Sequence, residues 1–210
     1  MTRLVAAALV VLASLGQTAS AQWRPGGVMR IVLLVDSSSQ VSSMITPIRA
    51  GLNAFLDELP GAPEIVFVST GGQLRIRMPP TSDRDKLRDA INHFASDGGA
   101  NAFLDTMIES DERFLKKAAD RRPVFVILTT DAGLGVADVR IDAYNRFAKS
   151  FVSRGGRAHA IVVRGVNSGS TSIISENLTG NSGGYFETIS VASAIPKMMK
   201  ALAGYVAADQ

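Results

Sequence analysis

Two carboxylates stand where apolar runs end. Asp36 follows Ile31-Val32-Leu33-Leu34-Val35 and opens Asp36-Ser37-Ser38-Ser39-Gln40. Asp131 follows Val124 to Leu128 and the pair Thr129-Thr130, and precedes Ala132-Gly133. If the two runs are neighbouring strands of an open α/β sheet, both acids project from one sheet edge among several hydroxyls, at the carboxyl ends where such sheets bind ligands. Oxygen donors without sulfur or imidazole suit a hard cation such as Mg²⁺, Mn²⁺ or Ca²⁺ rather than zinc or copper. The same residues have a second reading, because Asp and Ser are preferred helix N-caps. Either acid alone fits capping better; the pair at equivalent strand ends favours a site.

Other chemistry is less well assembled. Gly180-Asn181-Ser182-Gly183-Gly184 matches the G-x-S-x-G pattern, which exposes its serine on a strand-to-helix turn. Here the match follows a helix-like segment, leads into the strand-like Tyr185-Phe186-Glu187-Thr188-Ile189, and has no histidine after it. The two histidines, His93 in a helical pattern and His159 entering an apolar run, have no placed nucleophile and read as structural. A phosphotransferase would use Asp36 as nucleophile with an acid two residues on, and position 38 is serine. Gly133-Leu134-Gly135-Val136-Ala137-Asp138 lacks the last glycine of a dinucleotide loop, and no phosphate loop of the Walker type is present.

The elements that must position the acids follow from periodicity. Ile31–Val35, Val124–Leu128 and Ala160–Val163 are short continuous apolar runs rich in β-branched residues, as in strands buried on both faces. Ile45, Ile48, Leu52, Phe55, Leu56 and Leu59 form one helical stripe ended by Pro60-Gly61. Leu87, Ile91 and Phe94 mark a second helix beginning near Ser82 or Asp83. Phe103 through Ala118 mark a third, Ile141 through Val152 a fourth stopped by Gly155-Gly156, and Val191 through Val206 a last. Glu64–Ser69 and Leu74–Met78, joined across Gly71-Gly72, read as a hairpin near the sheet edge whose Arg75 and Arg77 make a wet face. Alternating strands and helices imply an α/β fold: a doubly wound, mainly parallel sheet with helices on both faces.

The 210 residues allow one domain of ordinary size. With 46% hydrophobic and 20% charged residues, the chain has a core to bury and is not a disordered or coiled-coil sequence. Twenty-two Lys and Arg against 19 Asp and Glu leave +3, with no block of five like charges, which argues against a nucleic-acid tract. Lys116-Lys117 and Arg121-Arg122 read as a solvated helix end. No cysteine is present, which excludes disulfide scaffolds, thiol nucleophiles and Cys-ligated metals. Residues 1–21 read as a secretory signal peptide, with Arg3, the apolar Leu4–Leu15 and the small-residue site Ala19-Ser20-Ala21; 22–27 form a short leader. The expectation is export to a bacterial periplasm or the medium, without membrane insertion after cleavage.

These residues resemble the von Willebrand factor type A (VWA) domain over about Met29 to Tyr205. The likeness runs through Val28 to Asp36, Gly98-Gly99-Ala100-Asn101, Val124 to Gly133, and Gly183-Gly184-Tyr185-Phe186. It implies a Rossmann-like sheet with one antiparallel edge strand, spanning 28–207. Such domains often carry a metal-ion-dependent adhesion site made of an Asp-x-Ser-x-Ser loop, a Thr after paired glycines and a later Asp. The resemblance carries over Asp36, Ser38 and Asp131 as metal ligands and departs at two positions. Gln40 stands for the second serine, where its amide oxygen is a possible fourth ligand, and Ala100 stands for the threonine.

The resulting expectation is an exported, non-enzymatic domain that binds a protein partner through the loops at the carboxyl ends of the strands. Asp36, Ser38 and Asp131 would hold Mg²⁺, or Ca²⁺ or Mn²⁺, weakly, and Ser37, Ser39, Gln40, Ala100, Asn101 and Gly133 would shape the partner surface. The alternative is a structural or scaffolding domain without metal or rim ligand; a hydrolase is disfavoured.

Overall fold

A computed structural model describes residues 28–131, 140–165 and 169–209. The signal peptide and leader expected over 1–27, and Gly133, lie outside the described residues. Six strands form one sheet: β1 (Met29–Val35), β2 (Glu64–Ser69), β3 (Arg75–Thr81), β4 (Arg122–Thr130), β5 (Arg157–Val163) and β6 (Phe186–Ile189), in the order β3-β2-β1-β4-β5-β6. Every pairing is parallel except β2 with β3. Helices α1 (Ile45–Glu58), α2 (Arg84–Asn92), α3 (Phe103–Ser110), α4 (Ile141–Ser153), α5 (Ser170–Ser182) and α6 (Ile195–Ala208) cover both faces.

The runs at 31–35 and 124–128 show no polar alternation because both faces of their strands are covered. In β1, Ile31, Leu33 and Val35 pack with residues of α1, α2 and α6, whereas Val32 and Leu34 pack with residues of α3, α4 and α5. Phe125, Phe147 and Phe151 anchor the second layer, with ring centroids 5.3–6.1 Å apart. β1 and β4 are adjacent, with Val35 opposite Leu128, so the loops carrying Asp36 and Asp131 leave the same end of the sheet.

Several expectations need correction. The stripe from Phe103 to Ala118 is not one α-helix. After Ser110 the chain widens into a π turn at Asp111–Leu115, where the Lys116 N–H reaches the Asp111 carbonyl at 2.9 Å. The extra residue lets Leu115 stay in the core while both carboxylate oxygens of buried Asp111 accept from one Arg154 nitrogen, Nη2. The last helix begins at Ile195 after a 3₁₀ turn, and Val191 is exposed. Arg122 is not on a solvated helix end; it opens β4, is buried, and donates to the Asp209 and Gly155 carbonyls.

The β3 alternation fails too. Arg77 lies half-buried over the Phe94 ring, 5.3 Å from its centroid, and Ile76 is 42% exposed. A register shift between Phe67 and Val68 breaks the period of two, and Pro79-Pro80 is tolerated because β3 is an edge.

Candidate functional site

Three loops meet at the carboxyl ends of β1, β2 and β4: the turn after β1, the β2–β3 turn, and the segment before α3. They are joined by backbone hydrogen bonds. Ser39 N–H donates to the Gly99 carbonyl at 3.1 Å, Asp97 N–H to Ser37 at 2.7 Å, Gly72 N–H to Ala100 at 2.7 Å, and Ala102 N–H to Thr70 at 2.9 Å. Ser37 ties all three together: its hydroxyl donates to Asp97 Oδ2 and accepts from the Gly71 N–H, both at 2.8 Å. Gly71 allows this approach, because a Cβ there would stand 2.7 Å from the Ser37 carbonyl oxygen.

Asp97, immediately before Gly98-Gly99, is a charge node that the sequence reading missed. It also accepts from Ser69 and pairs with Arg75 at 3.0 Å and with Arg77. The signal available in sequence was an acid at the head of a glycine pair, facing a strand with two arginines two residues apart.

Asp36 is 1% exposed. Its Oδ1 accepts the Ser38 N–H at 2.8 Å, closing a local turn. Its Oδ2 accepts the Thr130 N–H at 3.2 Å, the Thr130 hydroxyl, and the Asn101 side-chain amide at 3.0 Å. Asn101 spreads its NH₂ between Asp36 and the Thr129 hydroxyl, 3.0 Å away, while its Oδ1 accepts from Thr70 at 2.6 Å. Asp131, 4% exposed, is one residue beyond β4 and turns away from this cluster. Its Oδ1 accepts the N–H groups of Gly169 at 2.9 Å and Ser172 at 3.2 Å, the first turn of α5. The two acids thus share a sheet end and are buried against separate neighbours. Ser37 and Ser38 are buried beside Asp36; Ser39, Gln40 and Ala100 lie on the exposed outside of the rim.

A divalent ion favours about six oxygens free to point at it. In this arrangement Oδ2 of Asp36 already takes three donors, Oδ1 of Asp131 is turned to a helix end, and Ala100 brings no oxygen. The NH₂ of Asn101 bridges two atoms that would otherwise face a cation. Ser38 Oγ alone among the three expected ligands is a buried polar atom with no hydrogen-bond partner. Among the described residues no three His, Asp or Glu side chains are grouped to hold a metal. The residues as placed do not fit a divalent ion.

The hydrolase pattern is explained as structure. Gly183, with φ of 72°, ends α5, and the Ser182 hydroxyl accepts the Ala158 N–H at 3.0 Å. His159 lies on the opposite sheet face from its neighbours Ala158 and Ala160, which pack on the layer containing α5. Its Nδ1 accepts the Tyr185 N–H at 3.2 Å, which places the ring proton on Nε2, 2.8 Å from Asp209 Oδ2. Neither nitrogen is free to serve Ser182. His93 is largely exposed.

Among solved structures this chain is similar to a von Willebrand factor type A protein from Catenulispora acidiphila (13% identity, TM-score 0.69, 86% of this chain and 43% of that one). It is also similar to the conserved hypothetical protein BatB from Bacteroides thetaiotaomicron (12%, 0.63, 86% and 98%). A third is proximal thread matrix protein 1 from the mussel byssus with a zinc-occupied adhesion-site motif (11%, 0.66, 86% and 48%). The chain spans under half the length of the first and third. No family model and no curated protein matches the sequence. The likeness defines the fold: the described residues adopt a VWA-like α/β fold, with the mainly parallel sheet and single antiparallel edge strand expected from the sequence. No helix among the described residues is long and apolar enough to cross a membrane.

Proposed function

We propose that the chain is an exported, non-enzymatic interaction domain that binds a protein partner through the rim at the carboxyl ends of β1, β2 and β4. One observation carries this reading. The three loops are fastened to one another beneath the surface, while their outer residues, Ser39, Gln40, Gly72, Gln73, Gly99 and Ala100, are exposed and uncharged. Such a platform is ordered before a partner arrives, so association loses less conformational entropy. With Asp36 and Asp131 occupied internally, the reading asks for no divalent ion, and small and amide side chains would meet the partner.

Affinity capture from the envelope or secreted fraction of the source tests it. Gln40→Arg and Ala100→Arg put bulky charge on the rim and should lose a partner that wild type retains, with thermal midpoints unchanged. Asp120→Arg, exposed just before β4 at the other end of the sheet, should keep it. Retention by both rim variants contradicts the reading. The scaffolding alternative is favoured by one fact: both acids at the strand ends spend their hydrogen bonds within the chain. It predicts that retention.

A further inference from the structure

We propose that the side-chain amide of Asn101 stands in for a cation: it is an internal, metal-independent clamp on Asp36, and its replacement by a carboxylate turns the cluster into a divalent-cation site. The proposal does not rest on the rim having a partner.

Three observations converge. The amide carries partial positive charge to the two atoms a bound ion would draw together, Asp36 Oδ2 and Thr129 Oγ1, each 3.0 Å from Nδ2. Its orientation is fixed from the far side, because Asn101 Oδ1 accepts the Thr70 hydroxyl at 2.6 Å and the residue bridges to Gly71 in a short antiparallel contact. An Asn so held presents its NH₂, not its oxygen, to the acid. The third observation is Ser38 Oγ, buried beside Asp36 with no partner. It is a buried hydroxyl two residues from Asp36, and the amide, having two hydrogens already committed, does not serve it.

The chemistry of Asn101→Asp follows. A second carboxylate would sit at the place from which the amide now donates to Asp36, turning an attraction into a repulsion between like charges. Asp36, the new acid, Ser38 Oγ and Thr129 Oγ1 would then supply four oxygens, the donor set of a hard cation. An ion that binds only the folded state raises the thermal midpoint by linkage. For a domain of this size, ion at about 100 times its dissociation constant corresponds to about 5–11 °C.

The test is thermal unfolding of wild type and Asn101→Asp, each in chelator and in millimolar Mg²⁺, Mn²⁺ or Ca²⁺. Wild type should show the same midpoint in all four conditions. Asn101→Asp should melt below wild type in chelator and recover by several degrees with at least one ion. An ion-dependent midpoint in wild type, or a folded Asn101→Asp that ignores all three ions, overturns the proposal. Should Asn101→Asp fail to fold, wild type still decides the matter by NMR. The Asn101 side-chain NH₂ signals should exchange slowly and stay sharp on adding Mn²⁺; paramagnetic broadening of those signals would overturn the clamp.

Discussion

Asp131 accepts the backbone N–H of Gly169 at 2.9 Å, across 38 residues of chain, and so supplies the cap that Gly169 has no side chain to make. The carboxylate replaces the missing N-cap acceptor and places negative charge at the positive end of α5. Asp131→Ala should cost about 1–2 kcal/mol in urea unfolding, the usual loss of a cap. Asp131→Asn keeps an acceptor oxygen and should cost under about 1 kcal/mol, the share owed to charge at a helix end. If Asn is as damaging as Ala, the acid is not acting as a cap.

Burial pushes the Tyr144 hydroxyl up from 10 to about 12, and the group donates to Asn177 Oδ1 at 2.6 Å. An acid whose folded value lies above its unfolded one favours the folded state while neutral. Its contribution is therefore complete below pH 10 and is lost as the pH rises through about 12. Tyr144→Phe should remove one late-titrating tyrosine from the tyrosinate absorbance curve, flatten stability on the alkaline side, and cost about 1 kcal/mol at neutral pH for the hydrogen bond. A curve that keeps all its late-titrating tyrosines would contradict the assignment.

Asp209 lies at the other end of the sheet. Burial raises its carboxyl value, but the hydrogen bond from His159 and the positive charges of Arg157 and Arg122 outweigh burial and hold it below the ordinary carboxylate value. A depressed folded value means that the stabilisation is present above about pH 4 and is lost as the pH falls through the folded value. Asp209→Asn should reduce the acid-side slope of stability and lower neutral stability by about 1.5–3 kcal/mol, the range for hydrogen bonds to charged groups. An unchanged slope would mean that the pairing does not contribute.

The sheet was legible because its central strands are buried on both sides. Ile31–Val35 and Val124–Leu128 contain no polar residue, so their type and length were plain, and their adjacency placed both acids at one end. Helix α5 was only dimly visible. Its buried positions include Ser170, Thr171, Ser175, Thr179 and Ser182, which leave no apolar stripe to read. The site divides in the same way. The turn at Asp36 is local, and its Ser38 N–H bond lies within three residues. The partners that decide what the acids do, Asn101 and Thr130 for Asp36 and the start of α5 for Asp131, come from distant segments. Sequence spacing carries no record of which lone pair each would occupy. Asn101 was placed on the rim as a shaping residue, whereas its hydrogen bonds make it the centre of the cluster.

The rim is closed by hydrogen bonds within the chain. A crystal structure of the wild-type protein grown with millimolar Mn²⁺, read at the manganese absorption edge, tests it most directly. Asn101 Nδ2 should lie within hydrogen-bonding distance of both Asp36 and Thr129, with no anomalous peak among them. A manganese peak ligated by Asp36 and Ser38, with the Asn101 side chain displaced, would contradict it.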